Sequence, residues 1–289
     1  STGLFTLDSI LSFRAGYHVV VGNPGSGKGW YATWLAKQFF IIHQKRSVFF
    51  SLEMPEALVR ARLLQQWSGL TEEQLEGGNT TPAKNLMKQN ALLVYPFGQD
   101  DTGYQTPENF EKDLVEFYEK GYRVFFFDHL HELEGANDNT KNQKVIEQWG
   151  KMFQTLCKKY TDIWLIIFAQ PNGAAASKHV LQRTDISGSK SITQKCEVFV
   201  SLNRKVVAAN ASLAEAHSVQ QDRSVYIWVD KNRLSSQQKI GDTVFLSKTG
   251  NFTSFQDEDV LSDAFVKKED AEKMQEALFE QKIKGGDSQ

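Results

Sequence analysis

The chain has 289 residues, 40% apolar and 24% charged, with a formal net charge of −2 and a pI near 6.3. That suffices for one large α/β domain with a sizeable core, and it excludes a protein drawn onto nucleic acid by overall charge. Only two cysteines, Cys157 and Cys196, far apart in sequence, exclude a disulfide scaffold or a cysteine-rich zinc site.

Short apolar runs alternate with amphipathic stretches, the pattern of βα units around a mainly parallel sheet. A strand is expected over 17–21, a helix over 30–44, a second strand over 47–52 and a helix over 55–67, with Pro55 in its first turn. Residues 77–89 are polar and read as a loop or a weak helix. A third strand over 91–95 precedes an amphipathic helix over 106–120, and the run at 123–128 reads as a central strand buried on both faces. After a polar loop at 135–142, a helix is expected over 145–160 and a strand over 163–168. Strands at 198–203, 224–229 and 243–247, joined by polar loops, suggest an antiparallel edge. The chain thus divides into one α/β domain over 1–256 and a helical tail over 257–289. No apolar run reaches the ~18 residues a membrane span needs, and no signal peptide opens the chain. With so few cysteines, the expected location is the cytoplasm or another reducing compartment, such as a mitochondrial matrix or a phage-infected cell.

Between the first strand and its helix lies Gly22-Asn23-Pro24-Gly25-Ser26-Gly27-Lys28, which fits the Walker A pattern in the strand–loop–helix setting that the pattern requires. The glycines let backbone N–H groups turn toward phosphate, the helix start adds partial positive charge, and Lys28 supplies a point charge for the β and γ phosphates. One position departs: where Ser or Thr would offer a hydroxyl to Mg²⁺, this chain has Gly29. A water could complete the metal's shell, or hydrolysis could be slow while nucleotide still binds.

From Ser51-Leu52-Glu53-Met54-Pro55-Glu56 onward the chain resembles the ATPase domain of DnaB-type hexameric replicative helicases, a family that includes the phage primase-helicases and Twinkle. The resemblance runs from about Thr2 to Phe252 and implies a RecA-like P-loop NTPase fold. It implies that Glu53 is the catalytic glutamate, a carboxylate able to orient and deprotonate the attacking water; a solvated glutamate at a helix start is the plainer alternative. Asp128, closing the apolar run at 123–128, stands at the Walker B position and would hold Mg²⁺ through water. His129, His131 and Glu132 follow it and read as polar residues lining the site, not as a metal cluster. Gln170 corresponds to the family's γ-phosphate sensor, and its amide can donate to phosphate oxygen. Lys178 and Arg183, with His179, lie in a segment with the make-up of a mobile DNA-backbone loop. Ser189 and Lys190 fall in the family's glycine/serine motif, a polar loop offering donors to a phosphodiester backbone. Lys231 and Arg233 in Asp230-Lys231-Asn232-Arg233 resemble the element that the family projects into a neighbouring subunit's nucleotide.

The resemblance therefore implies an enzyme: a DNA helicase driven by ATP or another NTP with Mg²⁺, moving on single-stranded DNA as a homo-oligomeric, hexameric ring, with primase, loader or polymerase as further partners. Two other readings share the phosphate loop. One is a recombinase-like filament ATPase, and the other is a nucleotide-switch ring in which Gly29 marks weak hydrolysis. DNA-stimulated turnover separates motor from switch, and imaging separates ring from filament.

Overall fold

The computed structural model describes residues 7–8, 11, 13–52, 54–71, 73–97, 106–130, 133, 142–175, 178, 180–186, 189–204, 212, 224–234, 243–248 and 255–257. In chain order these form β1 (Gly16–Gly22), α1 (Lys28–His43), β2 (Arg46–Ser51), α2 (Glu56–Ser68), α3 (Thr81–Lys88), β3 (Leu92–Pro96), α4 (Pro107–Glu119) and β4 (Tyr122–Asp128). There follow α5 (Asn142–Lys159), β5 (Trp164–Ala169), α6 (Ser189–Lys195), β6 (Val198–Asn203), β7 (Ser224–Asn232), β8 (Thr243–Lys248) and β9 (Phe255–Asp257). Of the tail expected over 257–289, Asp257 closes β9 and the remainder lies outside the described residues. Among the described residues, no helix is long and apolar enough to cross a membrane.

The strands join in one sheet of order β3-β2-β4-β5-β1-β6-β7-β8-β9. The pairings from β3 to β6 are parallel, and β7, β8 and β9 extend the sheet antiparallel, as the late polar connections suggest. Alternation along each parallel strand feeds a core on both faces. On one face Val20, Phe49, Phe126 and Ile166 pack with Trp34, Leu35 and Phe39 of α1 and with Val59, Leu63 and Trp67 of α2. On the other, Val19, Val21, Phe50, Phe125 and Phe127 meet Phe110 and Leu114 of α4 and Trp149 and Phe153 of α5. The second layer is an aromatic cluster, with ring centroids 4.7 Å apart for Phe50–Phe110, 5.2 Å for Phe110–Phe127 and 5.3 Å for Phe127–Trp149. Burying one such ring contributes roughly 1.5–3 kcal/mol, so this face anchors the sheet.

Local chemistry sets the helix limits. Pro55 caps α2, Glu56 stands in its first turn, and the helix ends at Gly69 with φ 76°, whose N–H donates to the Gln65 carbonyl. Thr106 caps α4, its Oγ1 accepting from Asn109 N at 3.2 Å, and Pro107 opens the first turn. Two segments differ from the sequence expectation. Part of the polar stretch 77–89 forms α3, started by Asn79 Oδ1 accepting from Thr81 N at 3.1 Å and seated by buried Ala83. The expected glycine/serine loop becomes helix from Ser189 onward, because Ile192 anchors it in the core and Cys196 N closes on the Ile192 carbonyl at 3.0 Å. Donors expected of an open loop there are partly spent inside that helix.

Candidate nucleotide-binding site

Four parallel strands deliver the site with the residues at their carboxyl ends: Gly22 ends β1, Asp128 ends β4, Gln170 follows β5 and Arg204 follows β6. This is the edge of an open α/β sheet where ligands bind. A cleft of about 400 Å³ opens there, floored by Pro24, Gly25, Gly27, Lys28 and Gly29 and walled by Trp30, Met54, Arg62, Asp128, Gln170 and Arg204.

The loop needs its glycines. Gly25 and Gly27 adopt φ of 73° and 99°, and a Cβ on Gly22 would stand 2.3 Å from Ser26 Oγ and 3.1 Å from the Leu202 carbonyl. The turn closes with Ser26 N donating to the Asn23 carbonyl at 3.0 Å, and Tyr31 N takes the Gly27 carbonyl at 2.8 Å as α1 begins. Lys28, 9% exposed, folds over the loop, its Nζ donating to the carbonyls of Gly22 at 2.7 Å and Asn23 at 3.2 Å. Arg204 Nη1 donates to the Gly25 carbonyl at 3.3 Å, bringing a second cation to the loop.

Opposite the loop, Asp128 is buried at the end of β4, in register with Ser51 of β2. Gln170 is in hydrogen-bonding contact with the ring of His129, which is buried beside it. His129 thus lines the site, as expected, and no group of three metal-ligating side chains occurs among the described residues. His131, His179 and Glu132 lie outside them. So does Glu53, but its neighbours are pinned: Leu52 N donates to the Asp128 carbonyl at 2.9 Å, and Ser51 Oγ donates to the Met54 carbonyl at 2.6 Å.

The cleft's chemistry fits a nucleoside triphosphate with its Mg²⁺. Positive-φ glycines, the start of α1 and the Lys28 ammonium suit phosphate, and Ser26 Oγ is a buried hydroxyl with no partner among the described residues. Asp128 is the carboxylate that would hold the metal through water, since Gly29 brings no hydroxyl. When bound, Mg²⁺ would neutralise phosphate charge.

The remaining sequence-derived candidates lie away from the cleft. Lys178 Nζ pairs with the buried Asp185 at 2.6 Å, and Arg183 Nε pairs with Asp230 at 3.0 Å. Both are about half exposed, yet each charge is met by a carboxylate, and Leu181 and Ile186 of the same segment are buried. The expected mobile basic loop is therefore packed down over its described part. Ser189 and Lys190 lie in α6. Lys231 does not project outward: it is 4% exposed, and its Nζ donates to the carbonyls of Thr193 at 2.7 Å and Gln194 at 2.8 Å at the end of α6. Burial lowers its pKa. The expectation that Lys231 reaches a neighbour's nucleotide is corrected by those carbonyls, which capture the ammonium. Arg233 is exposed, its backbone N donating to the Glu197 carbonyl at 2.8 Å.

Register fixes where Arg233 stands. Gly22 pairs with Leu202 at the cleft edge, whereas Val198, at the start of β6, pairs with Asn232. Because β7 runs antiparallel, Arg233 emerges at the opposite edge of the sheet from the phosphate loop of its own chain.

Arg62 and Arg204 were not among the sequence candidates. Arg62 could have been found from helical spacing, since it shares a face of α2 with Val59, Leu63 and Gln66, which are buried. Arg204 follows a strand in the manner of Gln170, a signal equally open to the sequence.

A largely parallel sheet with a strand–glycine loop–helix site and a Walker B carboxylate defines a RecA-like P-loop NTPase. The model of the family described as DnaB-like helicase C terminal domain matches residues 1–257, and the chain belongs to that family. Among solved structures, an isolated ATPase domain is similar at TM-score 0.72 and 16% identity, over 89% of this chain and 90% of that one. A DnaB-like replicative helicase, solved for its interactions with primase, is similar at TM-score 0.71 and 16% identity, over 89% of this chain and 62% of that one. The RadB recombinase is similar at TM-score 0.57 and 14% identity, over 89% and 98%. No curated protein sequence matches the chain.

Proposed function

We propose that the chain is the NTP-hydrolysing motor of a ring-shaped DNA helicase that moves on single-stranded DNA during replication. The observation that carries this reading is the opposition of the two sheet edges, with the phosphate loop on one and the exposed Arg233 on the other. Subunits packed edge to edge would offer the arginine of one copy to the nucleotide of the next, which a closed ring does for every copy. In this reading Lys28 and the loop amides hold the phosphates, and Asp128 holds Mg²⁺ through water. Glu53 takes a proton from the attacking water, Gln170 senses the γ-phosphate, and Arg233 neutralises the charge that develops on phosphoryl transfer. Lys190 and Ser189 are the proposed contacts to single-stranded DNA, with Lys178 and Arg183 secondary because their charges are already paired. The motor unit is taken to span 1–256. A primase is the proposed partner by likeness to the DnaB-like helicase whose structure describes such an interaction.

The test is NTP turnover with and without single-stranded DNA, together with electron microscopy in the presence of nucleotide. Turnover should rise with DNA, rings should form, and Lys28→Ala should lose turnover by ~100-fold or more. Turnover equal in Lys28→Ala and the unmodified chain would end the nucleotide-site reading. Turnover indifferent to DNA would favour the nucleotide-switch reading, for which Gly29 is the specific observation.

A further inference from the structure

Gly29 lies in the first turn of α1 with no positive φ, so its backbone does not require glycine. The space beside it does the choosing. A Cβ there would stand 3.2 Å from Arg62 Nη1 and 3.6 Å from Met54 Cε, so the room next to the phosphate loop is held by a guanidinium. Arg62 comes from α2 and is set in register with α1 by two contacts. Gln66, one turn further along α2, donates from Nε2 to the Trp30 carbonyl at 2.9 Å, and Arg62 Nη1 donates to Met54 Sδ at 2.8 Å. A thioether is a weak acceptor, and a guanidinium has five N–H donors in a fork that matches phosphate oxygens. The group lines the cleft together with Lys28 and Asp128.

We propose that Arg62 does, within its own subunit, what the absent hydroxyl at position 29 would otherwise do indirectly through a metal: it binds the phosphate oxygens of the nucleotide directly. Binding to this chain then depends on Arg62 and only weakly on Mg²⁺. The proposal rests on the nucleotide reading of the cleft, and not on the ring or on DNA. It also assigns the glycine a purpose, because a larger residue at 29 would press on the guanidinium.

The experiment is a titration of the full chain with a fluorescent N-methylanthraniloyl ATP, once with Mg²⁺ and once with excess EDTA. The unmodified chain should lose no more than about fivefold in affinity on removal of the metal. Arg62→Gln should bind at least ~10-fold more weakly in EDTA, the scale of a charge-assisted hydrogen bond. Arg62→Lys, which keeps the charge without the fork, should fall between the two. Equal affinity of Arg62→Gln and the unmodified chain in EDTA overturns the proposal, as does a complete loss of binding by the unmodified chain in EDTA. Should Arg62→Gln lose its far-UV circular dichroism, Arg62→Lys carries the test, and its binding in EDTA as tightly as the unmodified chain overturns the proposal. An unmodified chain that binds in neither condition overturns the nucleotide reading itself, a failure distinct from that of Arg62.

Discussion

His18 sits on β1, 2% exposed and stacked at 5.8 Å on Phe13, with its Nε2 in hydrogen-bonding contact with the Arg14 carbonyl at 2.8 Å. Burial pushes its pKa down from 6.5 to about 4. The unfolded chain therefore binds a proton between those values that the folded chain refuses. Stability should be full above pH 6.5 and fall as the pH drops toward 4, by up to about 3 kcal/mol from this one residue. Urea unfolding at pH 7 and pH 4.5 checks this. His18→Gln keeps a donor and cannot be charged in this range, so its stability should change less between the two, and an unchanged difference would remove His18 as the cause. At this scale the sequence was legible wherever chemistry is tied to a strand end: the loop from Gly22 to Lys28, Asp128 and Gln170 all reach one cleft. It was not legible for Lys231. Whether a lysine points out or in depends on acceptors brought by another element, here the Thr193 and Gln194 carbonyls.

Those two hydrogen bonds join the end of α6 to β7, and they give the pair of elements a testable energy. Lys231→Met keeps the stem and removes both donors, so stability should fall by about 2 kcal/mol, read as a lower urea midpoint with an unchanged m-value. A variant of full stability whose NTP turnover nevertheless collapses would return Lys231 to the role of a phosphate ligand. Most elements were readable from periodicity because the parallel strands are apolar on both faces and their helices are amphipathic. The errors fell where polarity misleads. Thr81–Lys88 buries little beyond Ala83, and Ser189–Lys195 buries Ile192 and Thr193, too few apolar positions to show a period. The pairings of Lys178 with Asp185 and of Arg183 with Asp230 were hidden for a related reason, since no local pattern announces a partner across the fold.

For the whole molecule, the opposed edges make a proposal about copies of the chain. Arg233→Ala should bind nucleotide but turn it over ~10³-fold more slowly, the scale of an arginine finger, and Glu53→Gln should be similarly slow. Mixing the two inactive variants should restore turnover, because some interfaces then pair an intact Glu53 with an intact Arg233. Multiple-turnover assays across a range of mixing ratios check this, and Arg233→Ala active at the full rate as a monomer would sink the proposed interface. The family and the parallel sheet were both readable from the chain, whereas the edge on which Arg233 emerges was not, because it follows from the antiparallel register of β7. That same topology dictates how a nascent chain must assemble. β1, which carries the phosphate loop, is inserted between β5 and β6, so Val19 finds its partners in Ile167 and Phe199. By contrast, β2, β3 and β4 can pair with one another as soon as they leave the ribosome. The strand made first among these is thus docked after later ones, at the entropic cost of a long loop closure. Until β5 and β6 have emerged, the apolar run Tyr17-His18-Val19-Val20-Val21 has no place in a sheet, the kind of exposed segment that chaperones shield. Recognition of nucleotide is in this sense a late acquisition of the growing polypeptide, although its loop is encoded near the front.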